Sequence, residues 1–271
     1  MRKKLGAGAL IAVFAAVLGP SQAAAAAVPF PNSMVSTGDS ITRAFDMNLD
    51  CLLKDCPQYS WSTGDSTQVL SQYRRLLAVN PGISGHNYSL AKTGSKVADL
   101  VGQLAYAGYF KADYVTVLMG ANDLCTSSAA TMTPTASFLN SFYTALSYYF
   151  YYNPGGHVFV SSIPDIFQLW ATMHTNQNAL NAWSLFKICQ SMLAASNTDA
   201  DRQAVVQQEA VDNYILANVC LVFPNCRWDN YATNTFKFPA ADVSTIDFFH
   251  PNLAGQNDLA AVSWKASYWG T

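Results

Sequence analysis

The chain has 271 residues, 51% of them hydrophobic and 12% charged, with 15 Lys and Arg against 17 Asp and Glu and a formal net charge of −2. Phosphate binding needs a basic face and this balance supplies none, so no nucleic-acid partner is expected. The length suits one sizeable α/β domain whose core holds without a metal or a partner chain, and the chain is expected to act as a monomer.

At the N-terminus, Arg2, Lys3 and Lys4 precede an apolar stretch from Leu5 to Leu18 and the alanine-rich segment Ala23 to Ala27. That order is the pattern of a secretory signal peptide with a small-residue cleavage region. The stretch is too short to span a bilayer, and nothing later runs apolar for about 20 residues, so no transmembrane segment is expected. Residues 1–27 are read as the signal and 28–271 as a single exported domain.

The first strand is predicted over Ser33 to Thr37, running into the pentapeptide Ser-Thr-Gly-Asp-Ser at Ser36 to Ser40, which recurs at Ser62 to Ser66. Helical spacing follows in Val69, Leu70, Tyr73, Leu76 and Leu77, and again in Val97, Leu100, Val101 and Leu104. A strand is expected over Tyr114 to Met119, a helix over Thr135 to Tyr152, and a strand over His157 to Ser162. Helices over Gln177 to Ala195 and Asp201 to Asn218, a short strand over Val219 to Phe223 and a helix after Pro251 complete the chain. Strands alternating with helices imply a parallel sheet covered on both faces. The run Tyr148 to Tyr152 reads as core with a partly exposed rim, or as the wall of an acyl or sugar pocket.

Six cysteines, Cys51, Cys56, Cys125, Cys189, Cys220 and Cys226, form an even set in an exported chain, which argues for disulfides. Sequence alone leaves the pairing open. The favoured one is Cys51–Cys56, Cys125–Cys189 and Cys220–Cys226, because two short-range pairs leave the middle two for each other. No Cys-x-x-Cys occurs and no His stands at ligand spacing from a Cys, so no metal site is expected.

The duplicated pentapeptide offers two candidate nucleophiles. Ser40 follows a strand-like run, Gly38 permits a tight turn, and Ile41 to Phe45 can open a helix, so its hydroxyl would stand at the carboxyl end of a parallel strand, where such sheets place their sites. Ser66 follows Gln58 to Ser62, which is no apolar strand. Asp65 with Gln68 three residues on fits a helix N-cap and capping box, leaving Ser66 as a cap or turn residue.

A serine hydroxyl needs an adjacent base, and imidazole suits that task near neutral pH. Of the four histidines, His86 reads as turn, His157 begins a strand and His174 lies in a polar stretch. His250 has Asp247 three residues before it and Pro251 after it, which disfavours helix and leaves a shaped loop. From there the carboxylate can bond one ring nitrogen while the other faces Ser40.

Gly38-Asp39-Ser40-Ile41-Thr42, Asn87-Tyr88-Ser89-Leu90-Ala91-Lys92-Thr93-Gly94, Gly120-Ala121-Asn122-Asp123 and Asp247-Phe248-Phe249-His250-Pro251 resemble, in order, the four blocks of the SGNH or GDSL hydrolases. The resemblance spans nearly all of the exported part. It implies a three-layer α/β/α sandwich of flavodoxin-like kind with five parallel strands. It also implies a serine esterase or lipase with catalytic Ser40, Asp247 and His250, an oxyanion hole of Ser40 N–H, Gly94 N–H and the Asn122 amide, and no cofactor. The segment Cys51 to Cys56 looks like an insert shared by secreted bacterial esterases of this type.

Asn122 would sit just past a strand, where its amide can donate to an oxyanion, and Gly94 would let a backbone N–H approach without a Cβ in the way. The expected substrate is a lipid or general carboxylic ester, with a carbohydrate acetyl ester or a phospholipid as the alternative within the same fold. Two other readings lie outside it. A glycosidase would need two carboxylates, yet Glu209 is the only glutamate and reads as a helix face; a non-catalytic binding protein would lack one of the four blocks.

Overall fold

The computed structural model describes residues 27–270. The expected signal peptide, apart from Ala27, lies outside the described residues.

Five strands form one sheet: β1 (Met34–Gly38), β2 (Asn87–Ser89), β3 (Tyr114–Leu118), β4 (His157–Ser161) and β5 (Cys226–Trp228). All neighbours pair in parallel, in the order β2-β1-β3-β4-β5. Every residue of β1 and β3 is buried, as expected of strands covered on both faces, so neither alternates between a core side and a solvent side. The helices are α1 (Gln72–Val79), α2 (Val97–Tyr109), α3 (Ala121–Leu124), α4 (Thr135–Tyr152), α5 (Ile166–Met173), α6 (Gln177–Leu185), α7 (Gln190–Leu193), α8 (Asp199–Cys220), α9 (Ala232–Thr235) and α10 (Leu253–Ala266).

The strand order dictates the layers. Right-handed crossovers carry the chain from β1 outward to β2 through α1, then back across β1 to β3 through α2, so α1 and α2 cover opposite faces. Helices α4 and α8 follow the same direction as α2 and pack with it, while α10 returns to the side of α1. The result is a three-layer α/β/α sandwich with the flavodoxin-like strand order. Phe138, Phe142, Leu146 and Tyr149 of α4 are fully buried, about one turn apart, giving that helix the stripe that seats it. Each such side chain contributes about 1.5–3 kcal/mol by leaving water.

Several boundaries differ from the sequence reading. The helix expected from Val69 begins at Gln72, where the Ser71 side chain accepts from Arg74 N. The Asp65–Gln68 capping box is absent: Ser66 Oγ instead accepts from Gln68 N at 3.2 Å and closes a turn. The single helix expected over Gln177 to Ala195 breaks into α6 and α7, because Lys187 and Cys189 adopt left-handed backbone at φ 55° and 40°. The strand expected over Val219 to Phe223 does not form. Helix α8 continues through Cys220, a turn exposes Leu221 and Val222, and the strand begins at Cys226.

The six cysteines are joined as Cys51–Cys56, Cys125–Cys189 and Cys220–Cys226. The second crosses from the end of α3 to the start of α7. No described helix is long and apolar enough to cross a membrane.

Candidate active site

Strand β1 ends at Gly38, whose φ of 137° no other residue adopts readily; a Cβ there would stand 2.2 Å from the Leu118 carbonyl oxygen of β3. The chain therefore turns sharply between two packed strand ends and delivers Asp39 and Ser40 to the carboxyl edge of the sheet. Asp39 points inward, fully buried, and its Oδ1 accepts from Ile41 N at 2.9 Å. Ile41 to Phe45, expected to open a helix, form a chain of turns instead, with Ala44 in left-handed backbone. Phe45 N still donates to the Ser40 carbonyl, so the hydroxyl of Ser40 sits on a fixed platform.

The loop before α10 brings the histidine to this serine. His250 Nε2 lies 2.8 Å from Ser40 Oγ, and Nδ1 lies 2.5 Å from Asp247 Oδ2. The other oxygen of Asp247 accepts from Phe249 N at 2.9 Å and His250 N at 3.1 Å. Burial pushes the Asp247 carboxyl up, but the hydrogen bond and charge of His250 with those backbone donors outweigh it and hold the group below the usual carboxylate range. The loop itself is fixed from outside: Trp183 Nε1 donates to the Phe248 carbonyl at 3.0 Å, and Ser244 N to the His250 carbonyl at 2.8 Å. Phe45 and Phe249 approach the imidazole edge-on, with ring centroids 5.2 and 5.0 Å away.

Gly94 lies on an exposed turn with φ 81°, and a Cβ added there would meet open space. The positive φ of this turn favours glycine by backbone conformation. This turn is tied down on two sides. Within it, Lys92 N donates to the Gly38 carbonyl, and Ser95 N to the Lys92 carbonyl. Asn122, at the start of α3 directly after β3, donates from Nδ2 to the Ser95 carbonyl at 2.9 Å, leaving its second amide hydrogen free of that bond. Neighbouring Asp123 accepts from Val97 N at 2.9 Å, locking α3 to the start of α2.

Two side chains that the sequence did not single out complete this framework. Gln103 of α2 accepts from Gly38 N at 2.7 Å and donates to the Gly38 carbonyl at 3.0 Å, so it fixes the turn before Ser40. Its only mark in the sequence is a polar residue inside an apolar helical pattern. Asp55, inside the Cys51–Cys56 loop, pairs with Arg43 Nε at 2.9 Å and accepts from Thr93 Oγ1 at 2.5 Å.

The remaining candidates stand elsewhere. His157 begins β4, and His174 stacks on Trp170 at the end of α5. His86 directly precedes β2, and its carbonyl accepts from Met34 N. Glu209 is buried in α8, not on an open helix face: it accepts from Ile166 N at 3.1 Å and Asn234 Nδ2 at 2.8 Å, and burial pushes its carboxyl up to about 8. In the aromatic run, Tyr149 is core while Tyr148, Tyr151 and Tyr152 are exposed, and none of the five lines either of the two main cavities. Among the described residues no group of three or more His, Cys, Asp or Glu is arranged to hold a metal ion.

The larger cavity, about 1090 Å³, runs along edge strand β2 between Tyr88, Tyr106, Phe110, Gln58 and Asn87. It includes none of Ser40, Asp247 or His250, so size alone would misplace the chemistry. A second cavity of about 80 Å³, between Ile41, Ala121, Ile166, Asp242, Phe249 and Leu259, includes none of those three either.

A family model described as GDSL-like Lipase/Acylhydrolase matches residues 34–262. Among solved structures, a protein described as a GDSL-like lipase from Parabacteroides merdae superposes with a TM-score of 0.56 at 16% identity, covering 86% of this chain and 94% of its own. Phospholipase A1 from Streptomyces albidoflavus gives 0.53 at 15% identity, covering 88% and 100%. A family 3 carbohydrate esterase from Clostridium thermocellum gives 0.52 at 13% identity, covering 86% and 94%. At such identities the likeness is one of fold. No curated protein matches the chain in sequence.

Proposed function

Because the chain belongs to the GDSL-like lipase/acylhydrolase family and is an ester hydrolase, we propose that Ser40 is its nucleophile, His250 its general base and acid, and Asp247 the group that orients the imidazole. The observation that carries this reading is the unbroken relay from the Asp247 carboxylate through both ring nitrogens of His250 to Ser40 Oγ. With the carboxylate at Nδ1, the ring proton resides there and Nε2 is free to accept from the serine.

Ser40 Oγ attacks the ester carbonyl as its proton passes to Nε2. The oxyanion accepts from Ser40 N–H, Gly94 N–H and the Asn122 amide, each such donor being worth about 10²–10³ in kcat. His250 then protonates the departing alcohol. In the second half a water gives its proton to Nε2 and attacks the acyl carbonyl; His250 returns that proton to Ser40 as the acid leaves.

The enzyme acts as an exported monomer on small-molecule or lipid esters, with no nucleic-acid partner. Three disulfides fit an oxidising compartment, and the basic-then-apolar start of the chain fits export.

The duplicated pentapeptide supplies the test. On p-nitrophenyl butyrate, Ser40→Ala abolishes turnover and labelling by a serine-directed fluorophosphonate, while Ser66→Ala keeps both. Full activity in the first variant and none in the second would overturn the assignment.

A further inference from the structure

Ala44, Met47, Cys51 and Cys56 are buried in a small apolar cluster of their own, separate from the main core. The loop that this cluster seats, residues 48–56, also carries Leu49, Leu52 and Leu53, and all of them lie outside the cluster, 82%, 52% and 63% exposed. Single apolar residues on a surface are ordinary; a set of leucines confined to one short loop is not. Leu53 in addition holds left-handed backbone at φ 53°, a conformation costly for a bulky residue, and its exposed side chain recovers none of that cost by packing.

The tip is fastened to the frame of the candidate site on two sides. The Cys51–Cys56 disulfide closes it. Leu53 N donates to the carboxyl of buried Asp46, and Ser244 Oγ donates to the Asp46 carbonyl at 2.5 Å. Ser244 belongs to the loop of Asp247 and His250, and its N–H holds the His250 carbonyl. On the other side, Cys56 N donates to the Arg43 carbonyl at 3.0 Å, and Asp55 accepts from Thr93, the neighbour of Gly94. The leucines are thus carried on a braced loop joined to both segments that flank Ser40.

Size and charge decide what such a tip fits. A stable protein interface engages about 20–30 residues a side with complementary shape, far more than a few leucines on a short loop offer. A lipid surface asks for no shape complementarity and takes apolar side chains into the boundary between headgroups and acyl chains. Asp50 and Lys54, the exposed charged residues among the leucines, are of opposite sign, so the tip has no basic cluster to select anionic headgroups. We infer that Leu49, Leu52 and Leu53 form a docking tip that inserts into an electrically neutral lipid surface, so that the enzyme draws its esters from lipid aggregates. The second half of this inference rests on the proposed hydrolase function; docking itself needs no catalysis.

The experiment separates the two. Flotation with phosphatidylcholine vesicles measures docking, in a Ser40→Ala background that leaves the lipid intact. Hydrolysis of emulsified tributyrin against soluble p-nitrophenyl acetate measures the consequence. The variants are Leu49→Ser alone and Leu49→Ser with Leu52→Ser and Leu53→Asn, the last chosen because Asn tolerates left-handed backbone. Ser40→Ala is expected to float, and the triple variant to lose about tenfold or more in partitioning and in tributyrin turnover, with Leu49→Ser in between. Acetate turnover should stay within about twofold of wild type, since none of the leucines belongs to the catalytic relay. Failure of Ser40→Ala to float overturns the inference whether or not the variants fold. Equal flotation of folded variants overturns it too, as does flotation only with anionic phosphatidylglycerol vesicles. A concentration-dependent dimer abolished by Leu49→Ser, without flotation, would assign the tip to a second copy of the chain instead. Ester hydrolysis surviving in Ser40→Ala would bring down the nucleophile assignment and leave docking standing, whereas a dead Ser40→Ala that does not float would bring down the inference alone.

Discussion

Thr93 Oγ1 donates to Asp55 Oδ1 over 2.5 Å, while the other oxygen of the same carboxylate pairs with Arg43 at 2.9 Å. The exposed turn that carries Gly94 is thereby tied to the disulfide-closed loop Cys51–Cys56 and, through Arg43, to the segment after Ser40. As a partly exposed ion pair this link contributes only about 0–1 kcal/mol to stability. With Gly94 proposed as an oxyanion donor, its weight should fall on geometry, because displacing such a donor would cost far more than the contact that held it.

Asp55→Ala is therefore expected to lower kcat about tenfold to a hundredfold, with KM changed less than about threefold. Asp55→Asn, which keeps an acceptor for Thr93 but loses the charge toward Arg43, should fall between. Steady-state kinetics alongside thermal melts decide the matter. A lowered Tm with unchanged kcat per folded molecule would mean that the link is structural only.

Removing the orienting carboxylate tests the relay at its far end. Asp247→Asn keeps the shape but presents a mixed donor and acceptor to Nδ1, which disfavours the tautomer that leaves Nε2 free. The expected loss in kcat is about 10²- to 10⁴-fold, with KM little altered. His250→Ala should be lower still. Wild-type kcat in Asp247→Asn would show that the 2.5 Å contact has no catalytic consequence.

The buried carboxyl of Asp39, next to Ser40 in the chain, gives a pH signature. Burial pushes Asp39 up from 3.8 to about 7, against the hydrogen bond from Ile41 N. An acid whose folded value is raised holds its proton more tightly when folded. Its contribution to stability is therefore complete below about pH 4 and is lost as pH rises toward 7. Asp39→Asn stays neutral throughout and retains an acceptor for Ile41 N. Between pH 4 and 8 the variant's Tm should gain steadily on that of the wild type. Glu209 and Asp212, also raised by burial, titrate alike in both proteins and cancel. A Tm difference independent of pH would exclude Asp39 as the titrating group.

How much of this was legible in the sequence depended on the kind of signal. Helices α2 and α4 were visible because their apolar faces repeat at helical spacing, and α4 ends where Asn153-Pro154-Gly155-Gly156 stops it. Ser40, Asn122, Asp247 and His250 were visible because each sits in a short local pattern whose chemistry is distinctive. Strands β2 and β5 were hidden. Each is three residues long on a sheet edge and only partly buried, so neither carries an apolar run. The run Val219 to Phe223 misled for the opposite reason: a short apolar stretch cannot be told from a helix end by periodicity alone. Gln103 and Asp55 were out of reach because their roles exist only through partners 65 and 38 residues away.

The disulfides differ in what they close, and the difference can be measured. Cys125–Cys189 has a sequence separation of 64, whereas Cys220–Cys226 has one of 6. Loop-closure entropy in the unfolded chain then assigns about 4 kcal/mol to the long bridge and about 2 kcal/mol to the short one. The long bridge also pins α7 to the end of α3, the helix on which Asn122 stands. Cys125→Ser with Cys189→Ser should lower Tm more than Cys220→Ser with Cys226→Ser, and it alone should reduce kcat in the protein that remains folded. Melting curves and single-turnover rates on the two double variants check both halves. Equal losses of Tm would discount the loop-length argument, and an unchanged kcat in the first variant would show that Asn122 is held in place by its bond to Ser95 without help from the disulfide.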